Sequence, residues 1–161
     1  MKKALVAVVA GGTLLVTGTP ALAKPTLGPY GYGAVKLGMS AKKAKATGRI
    51  VSKMPAGEGA CSGWDLKAHP TGKHSVGLYI SKKAGVAVIF APKGVKTPRG
   101  IGVGSTLRQV KRAYPRLKSS PSGIRYVSVP GNSKAYYAFL TDSKGKVREL
   151  AFGLDKQDCV N

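Results

Sequence analysis

Acidic side chains are nearly absent from this chain: six Asp and Glu stand against 27 Lys and Arg in 161 residues, a formal net charge of +21. The six are Glu58, Asp65, Asp142, Glu149, Asp155 and Asp158, scattered so that no two are set up to converge as a catalytic acid and base. Histidine is as scarce. His69 and His74 share one loop, HPTGKH, with few oxygen ligands nearby, which reads as two solvent-exposed loop residues rather than a metal centre. There are only two cysteines, Cys61 and Cys159, in neither a C-x-x-C redox pair nor a zinc pattern. No G-x-S-x-G elbow is present, and no motif that reads nucleic-acid sequence. These absences argue against an enzyme, a cofactor, a metal and sequence-specific nucleic-acid binding.

Long apolar runs are missing too, except at the start. Met1-Lys2-Lys3 precedes an apolar stretch, Ala4 to Val16, too short for a membrane span. Ala21-Leu22-Ala23 has the small-x-small form of a cleavage site. Residues 1–23 therefore read as a Sec-type signal peptide cut between Ala23 and Lys24. No cysteine follows to carry a lipid anchor, and no later run is long enough to span a bilayer. The expectation is a secreted, extracellular protein that acts as a monomer. Removing 23 of 161 residues leaves 138, with 25 Lys and Arg, six acids and a net charge of about +19. In an exported chain an even pair of cysteines predicts a disulfide, Cys61 to Cys159. A bridged loop of roughly 100 residues is worth ~4–5 kcal/mol in the chain-entropy account.

One phrase occurs twice. VKLGMSAKKAKATG (35–48) and VGSTLRQVKRAYP (103–115) both run apolar, Gly, small, Ser or Thr, then a short basic helix. Ser40 and Thr106 are N-cap residues, and Thr106 with Gln109 forms a capping-box signature. Strand patterns follow each copy. Ser75–Ser81 and Val86–Ala91 make one hairpin around Gly85, and Ala135–Thr141 and Lys146–Phe152 make another around DSKG. Gly123–Val129 reads as a further strand, Trp64–Lys67 as a weak one, and 52–63 as a loop. The expected fold class is α+β: two tandem helix-plus-antiparallel-sheet modules. Residues 24–34 form an irregular arm, 35–91 the first module, 92–100 a Pro/Gly-rich linker and 101–161 the second module.

This repeated phrase, followed by strands ending in a turn like 142-DSKGKVREL-150, resembles the small helix-and-sheet module of the outer-membrane-assembly lipoproteins of the SmpA/OmlA kind. The tandem arrangement resembles the beta-lactamase inhibitor family of streptomycetes. The opening 28-GPYGYGAVKLGMSAKKAKATG-48 is similar to uncharacterised secreted proteins of actinobacteria. The lipoproteins carry an acylated cysteine after the signal, where this chain has Lys24. The resemblance to the inhibitor family implies a sheet face used to bind another protein. The strong positive charge here argues against the same target.

Two sets of residues are candidate binding sites. Lys42 and Lys45 share a helix face with Arg49 a turn on, and Arg108, Lys111 and Arg112 share another at i, i+3 and i+4. Neither helix carries an acid, so each reads either as an ordinary solvated face or as a site for an anionic envelope polymer such as teichoic acid, for nucleic acid held without sequence preference, or for acidic lipid head groups. Strand alternation places Tyr79, Tyr126 and Tyr137 as candidates for a sheet face turned away from the helices. Such a face either binds a protein or polysaccharide, or is partly covered by the other half of the chain or by the Tyr-rich arm, Tyr30 and Tyr32. The function expected is a non-catalytic interaction module binding another secreted or envelope protein, inhibitor-like. The alternative is a salt-sensitive binder of envelope polyanions.

Overall fold

The structure, a computed structural model, describes residues 26–56 and 59–160. The expected signal peptide, its expected cleavage site at Ala23–Lys24 and Glu58 lie outside them.

The central feature is one eight-stranded antiparallel sheet. Its strands are β3 (Ile50–Met54), β4 (Cys61–Leu66), β5 (Leu78–Ser81), β6 (Gly85–Phe90), β7 (Lys118–Ser119), β8 (Arg125–Val129), β9 (Asn132–Thr141) and β10 (Val147–Leu154), in the order β3-β4-β5-β6-β10-β9-β8-β7. A two-stranded ribbon, β1 (Gly31–Tyr32) with β2 (Val35–Lys36), precedes it. Two helices, α1 (Ala41–Ala46) and α2 (Leu107–Ala113), have six and seven residues.

This corrects the expected α+β class. The chain is mostly β, and it does not form a pair of helix-plus-sheet modules. The two expected sheets fuse because β6 pairs with β10, with Ala151 opposite Phe90, Phe152 opposite Ile89 and Gly153 opposite Val88. VAVIF and LAF are the most apolar strand segments and are buried on both faces, as central strands are. Left as edges they would expose unpaired backbone groups. A second correction concerns 52–63, where a loop is expected. β3 and the start of β4 run there instead. β3 is an edge strand with Val51 and Met54 exposed, so its polar, half-wet composition carries no clean alternation.

Helices this short do not persist alone. Each is held by its cap and by one buried side chain, Ala44 or Val110. Ser40 caps α1, and Thr106 with Gln109 makes the full capping box on α2. The glycines of the repeated phrase do the steering. Gly38 and Gly104 have φ of +77° and +90°, open to glycine at no steric cost. The turn at Gly38–Met39 hydrogen-bonds both backbone groups of Val86, and that at Gly104–Ser105 does the same to Val147. Each helix entry is thereby stitched to a strand.

The main core lies between the helices and one sheet face. Tyr114, Tyr137, Phe139 and Phe152 form an aromatic cluster there, with ring centroids 5.3 Å apart for Tyr137–Phe152 and 5.7 Å for Tyr114–Phe139. Leu27, in the segment expected as an irregular arm, is fully buried against it, and the Tyr137 hydroxyl donates to the Leu27 carbonyl at 2.6 Å.

Asp65 is a buried charge on β4. It accepts from the Thr71 hydroxyl (2.6 Å), the Thr71 and Gly77 N–H groups (3.0 Å each) and Lys53 Nζ (2.9 Å). Lys53 also donates to Thr71 and Gly72, so the pair pins the 67–77 loop to the sheet edge. Burial pushes the Asp65 carboxyl up, but these hydrogen bonds outweigh it and hold the carboxyl below the ordinary carboxylate value. Its stabilisation is therefore complete above about pH 4, the unfolded value, and is lost as pH falls through the lower native value. Asp65→Asn should cost about 2 kcal/mol at neutral pH. In urea unfolding from about pH 5 to about pH 2 the variant should lose less stability than the parent. Parallel acid-side losses in the two would show that Asp65 does not carry this linkage.

Candidate functional site

Both helices pack on the same sheet face, so the opposite face has no helix over it. Antiparallel partners share a face, which makes the rows on that face readable from the register. One row runs Gly63, Tyr79, Val88, Gly153, Tyr136. The next runs Phe90, Ala151, Ala138, Tyr126. Small residues fill the centre and aromatic rings stand around them. Tyr79 meets Phe90 edge-on with centroids 6.0 Å apart. Tyr79, Phe90, Tyr126 and Tyr136 are each half-buried.

One end of this face is covered by the chain's own C-terminus. After β10 the tail leaves through a hydrogen bond from Asp155 N–H to the Lys134 carbonyl, 2.9 Å. Gln157 accepts from the N–H groups of Cys159 and Val160, at 2.7 and 2.9 Å, which turns the tail on itself. Cys159 and Val160 then pack on the small cluster Ala87, Val88, Ala138 and Ala151. The expected disulfide is present. Cys159 is bonded to Cys61 on β4, S–S 2.01 Å, across a sequence separation of 98. Asp158 stands beside it, but both sulfurs are used by the bond, so the trio offers no metal site. The Tyr136 ring lies against Gly153, where a Cβ would come within 2.8 Å of its hydroxyl. Burial, and then the Asp155 charge, raise the Tyr136 phenol above its ordinary value despite a hydrogen bond with Gln157.

The expected tyrosines divide. Tyr79 and Tyr126 lie on the open face. Tyr137 does not: it is 1% exposed, in the aromatic core on the helix side, and its neighbour Tyr136 takes the open-face position. Phe90 is an open-face residue that the sequence pattern hides. A bulge between Tyr79/Val88 and Ile80/Val86 puts Val86 and Ile89 on one face and Val88 and Phe90 on the other, so alternation along VAVIF breaks. Lys93 and Arg148 flank the Tyr79–Phe90 end, with Glu149 the acid beside them.

Lys42, Lys45 and Arg49 of the first basic set, and Arg108, Lys111 and Arg112 of the second, are all exposed. They lie on the helix side and not on the aromatic face. Among the described residues the salt bridge formed is Lys53–Asp65, which uses none of them. His69 is half-buried with its Nε2 3.1 Å from the Tyr32 hydroxyl, while His74 is exposed. No described helix is long and apolar enough to cross a membrane.

No family model and no curated protein matches the chain. Among solved structures it is similar to the uncharacterised protein YfeY of Escherichia coli, with a TM-score of 0.52 and 14% identity, covering 80% of this chain and 99% of that one. That likeness is one of fold alone.

Replacing both Cys61 and Cys159 by serine should cost up to about 4–5 kcal/mol in chemical unfolding. Freed from Cys61, the tail should lift from Tyr136, and in spectrophotometric titration one tyrosine should move down toward the ordinary phenol value as burial and the Asp155 charge withdraw. Unchanged tyrosine titration in a folded double variant would mean that the tail stays down without its bond.

Proposed function

We propose that the chain is an exported, non-catalytic interaction module that holds an acidic secreted or envelope protein on its open sheet face, in the inhibitor-like mode that the sequence resemblance implies. The observation that carries this is the pair of aromatic rows, Tyr79 with Phe90 and Tyr126 around Ala151 and Ala138, left without a helix over them. Rings with a polar tip beside small residues give large contact area at low conformational cost, and such side chains dominate protein interfaces. Lys93 and Arg148 at the rim select a partner whose contact patch is ringed by carboxylates. Export is supported by the leader pattern and by the disulfide, which persists in oxidising compartments.

A second reading, salt-sensitive binding of an anionic envelope polymer, is favoured by a different observation. The six exposed helix-side cations named above have no salt-bridge partner among the described residues.

The test is capture from culture supernatant with the mature chain as bait. One acidic protein should be retained at about 0.3 M salt, where rim charges are screened but an apolar contact is not. Phe90→Ala with Tyr126→Ala should weaken it at least tenfold, whereas Arg108→Gln with Lys111→Gln and Arg112→Gln should leave its affinity within a few-fold. A captured protein insensitive to Phe90 and Tyr126 would place binding elsewhere.

A further inference from the structure

At the β7–β8 edge of the sheet, a cleft of about 590 Å³ opens between the chain leaving α2 and the β8–β9 turn. Arg99, Arg116 and Lys118 line it with Tyr114 and Ser133, and no acid does. An adjoining cleft shares Tyr114 and Pro115 and adds Lys111 and Arg125, again with no acid in its lining. Five cations thus follow one another around a single buried tyrosine.

Two of them are held in place. The Arg99 guanidinium lies 5.3 Å from the centroid of the Tyr114 ring and donates one hydrogen bond, 2.5 Å, to the Ala113 carbonyl at the end of α2. Tyr114 is itself fixed, 2% exposed, with its hydroxyl donating to Thr97 at 2.7 Å. Arg125 donates to the Ser119 hydroxyl. Arg99 is exposed, and most of its five N–H donors remain unused in a fixed fork. The β8–β9 wall is also braced: Asn132 Nδ2 donates to the Pro29 carbonyl at 2.8 Å, and the Tyr30 hydroxyl to the Gly131 carbonyl at 3.2 Å.

The geometry points to a binding track for the phosphodiester backbone of a linear polyanion, with Arg99 and Arg116 as its anchors. A row of cations in joined clefts suits repeated charges better than a single ion. Arg99 approaches from the 92–100 segment and Arg116 and Lys118 from 115–118, so donors meet the ligand from different directions. That suits the tetrahedral phosphate, whose two free oxygens diverge, whereas a planar carboxylate is satisfied by one guanidinium fork. The inference rests on the second reading above, to which it gives a ligand class and residues outside the helix faces. Its anchors, Arg99 and Arg116, lie outside the open-face rows, while Lys118 sits at their edge opposite Tyr126.

The experiment measures binding of the mature chain to three fluorescent probes of equal charge number: poly(glycerol phosphate), single-stranded DNA and polyglutamate, each across a salt series. Both phosphodiester probes should bind at least tenfold tighter than polyglutamate. The variant Arg99→Gln/Arg116→Gln/Lys118→Gln should weaken phosphodiester binding at least tenfold. It should also reduce the slope of log K against log salt by about 2, since each phosphate that is no longer neutralised removes roughly 0.7. Lys82→Gln/Lys83→Gln/Lys144→Gln removes the same charge from two exposed hairpin turns and should change affinity by less than threefold, with thermal melts confirming that both variants fold. Equal losses in the two triple variants would overturn the track while leaving diffuse polyanion binding standing. Polyglutamate binding as tight as the phosphodiesters would overturn the ligand class, and no binding of any probe at low salt would overturn the track and the second reading together. Preference for one phosphodiester over the other, with the same dependence on Arg99 and Arg116, supports the track and identifies the source of its ligand.

Discussion

The molecule depends on the pairing of β6 with β10. Three residues of each strand face one another there, and through them four strands from residues 50–90 and four from residues 118–154 become one sheet. Neither strand is suited to an edge. Both are apolar along most of their length, and an exposed apolar edge recruits other chains. Once joined, they occupy the centre, and the polar, shorter strands β3 and β7 are left at the margins. The helices, too short to organise anything alone, take their positions from this sheet.

A sheet so built has two unlike faces, and the sequence treats them differently. Toward the helices, large rings interlock and every buried hydroxyl that matters has a partner: Tyr114 on Thr97, Tyr137 on Leu27. Away from the helices, the centre holds Gly153, Ala151 and Ala138. Half-buried Phe90, Tyr126 and Tyr136 pack around these small residues, no helix lies over them, and the tail occupies one end. The disulfide that ties this tail also joins the last residues to the fourth strand in chain order, closing a long loop in the unfolded chain. The same ribbon of residues 155–160 thus serves stability and sets how much of the open face stays uncovered.

Much of the local structure was legible. Ser40 and Thr106 cap helices, Gly38 and Gly104 turn with positive φ, and the hairpins centre on Gly85 and Gly145, because these are short-range features of residue type. The cysteine pairing was legible from count and compartment. The joining of the sheets was not, since pairing of strands about 60 residues apart is decided by tertiary complementarity and leaves no local mark. The same limit explains Tyr137. In AYYAFLT either phase of alternation is hydrophobic, and only the position of the helices decides which tyrosine is inside. Phe90 was hidden by a bulge, a one-residue slip that changes the face of everything beyond it. Arg99 and Arg116 were hidden by separation: they lie in irregular segments whose meeting point, Tyr114, reads in sequence only as the last residue of a helical stripe.

The few acids show how the charge is meant to be read. Asp65 is consumed inside the fold by four hydrogen bonds. Asp142 accepts the N–H groups of Lys144 and Lys146 and closes a hairpin. Asp155 and Asp158 belong to the tail that is laid over Tyr136 and the disulfide. Each described acid except Glu149 is thus tied to a turn, a buried node or the tail, and none is set beside the lysines and arginines of α1 or α2. Like charges at i, i+3 and i+4 destabilise a helix by a few tenths of a kcal/mol per pair, and two helices of six and seven residues have little to offset it. Carboxylates at intervening positions would have relieved that strain without touching the core. Among the described residues, then, the positive surface of the two helices is not balanced by the molecule's own carboxylates.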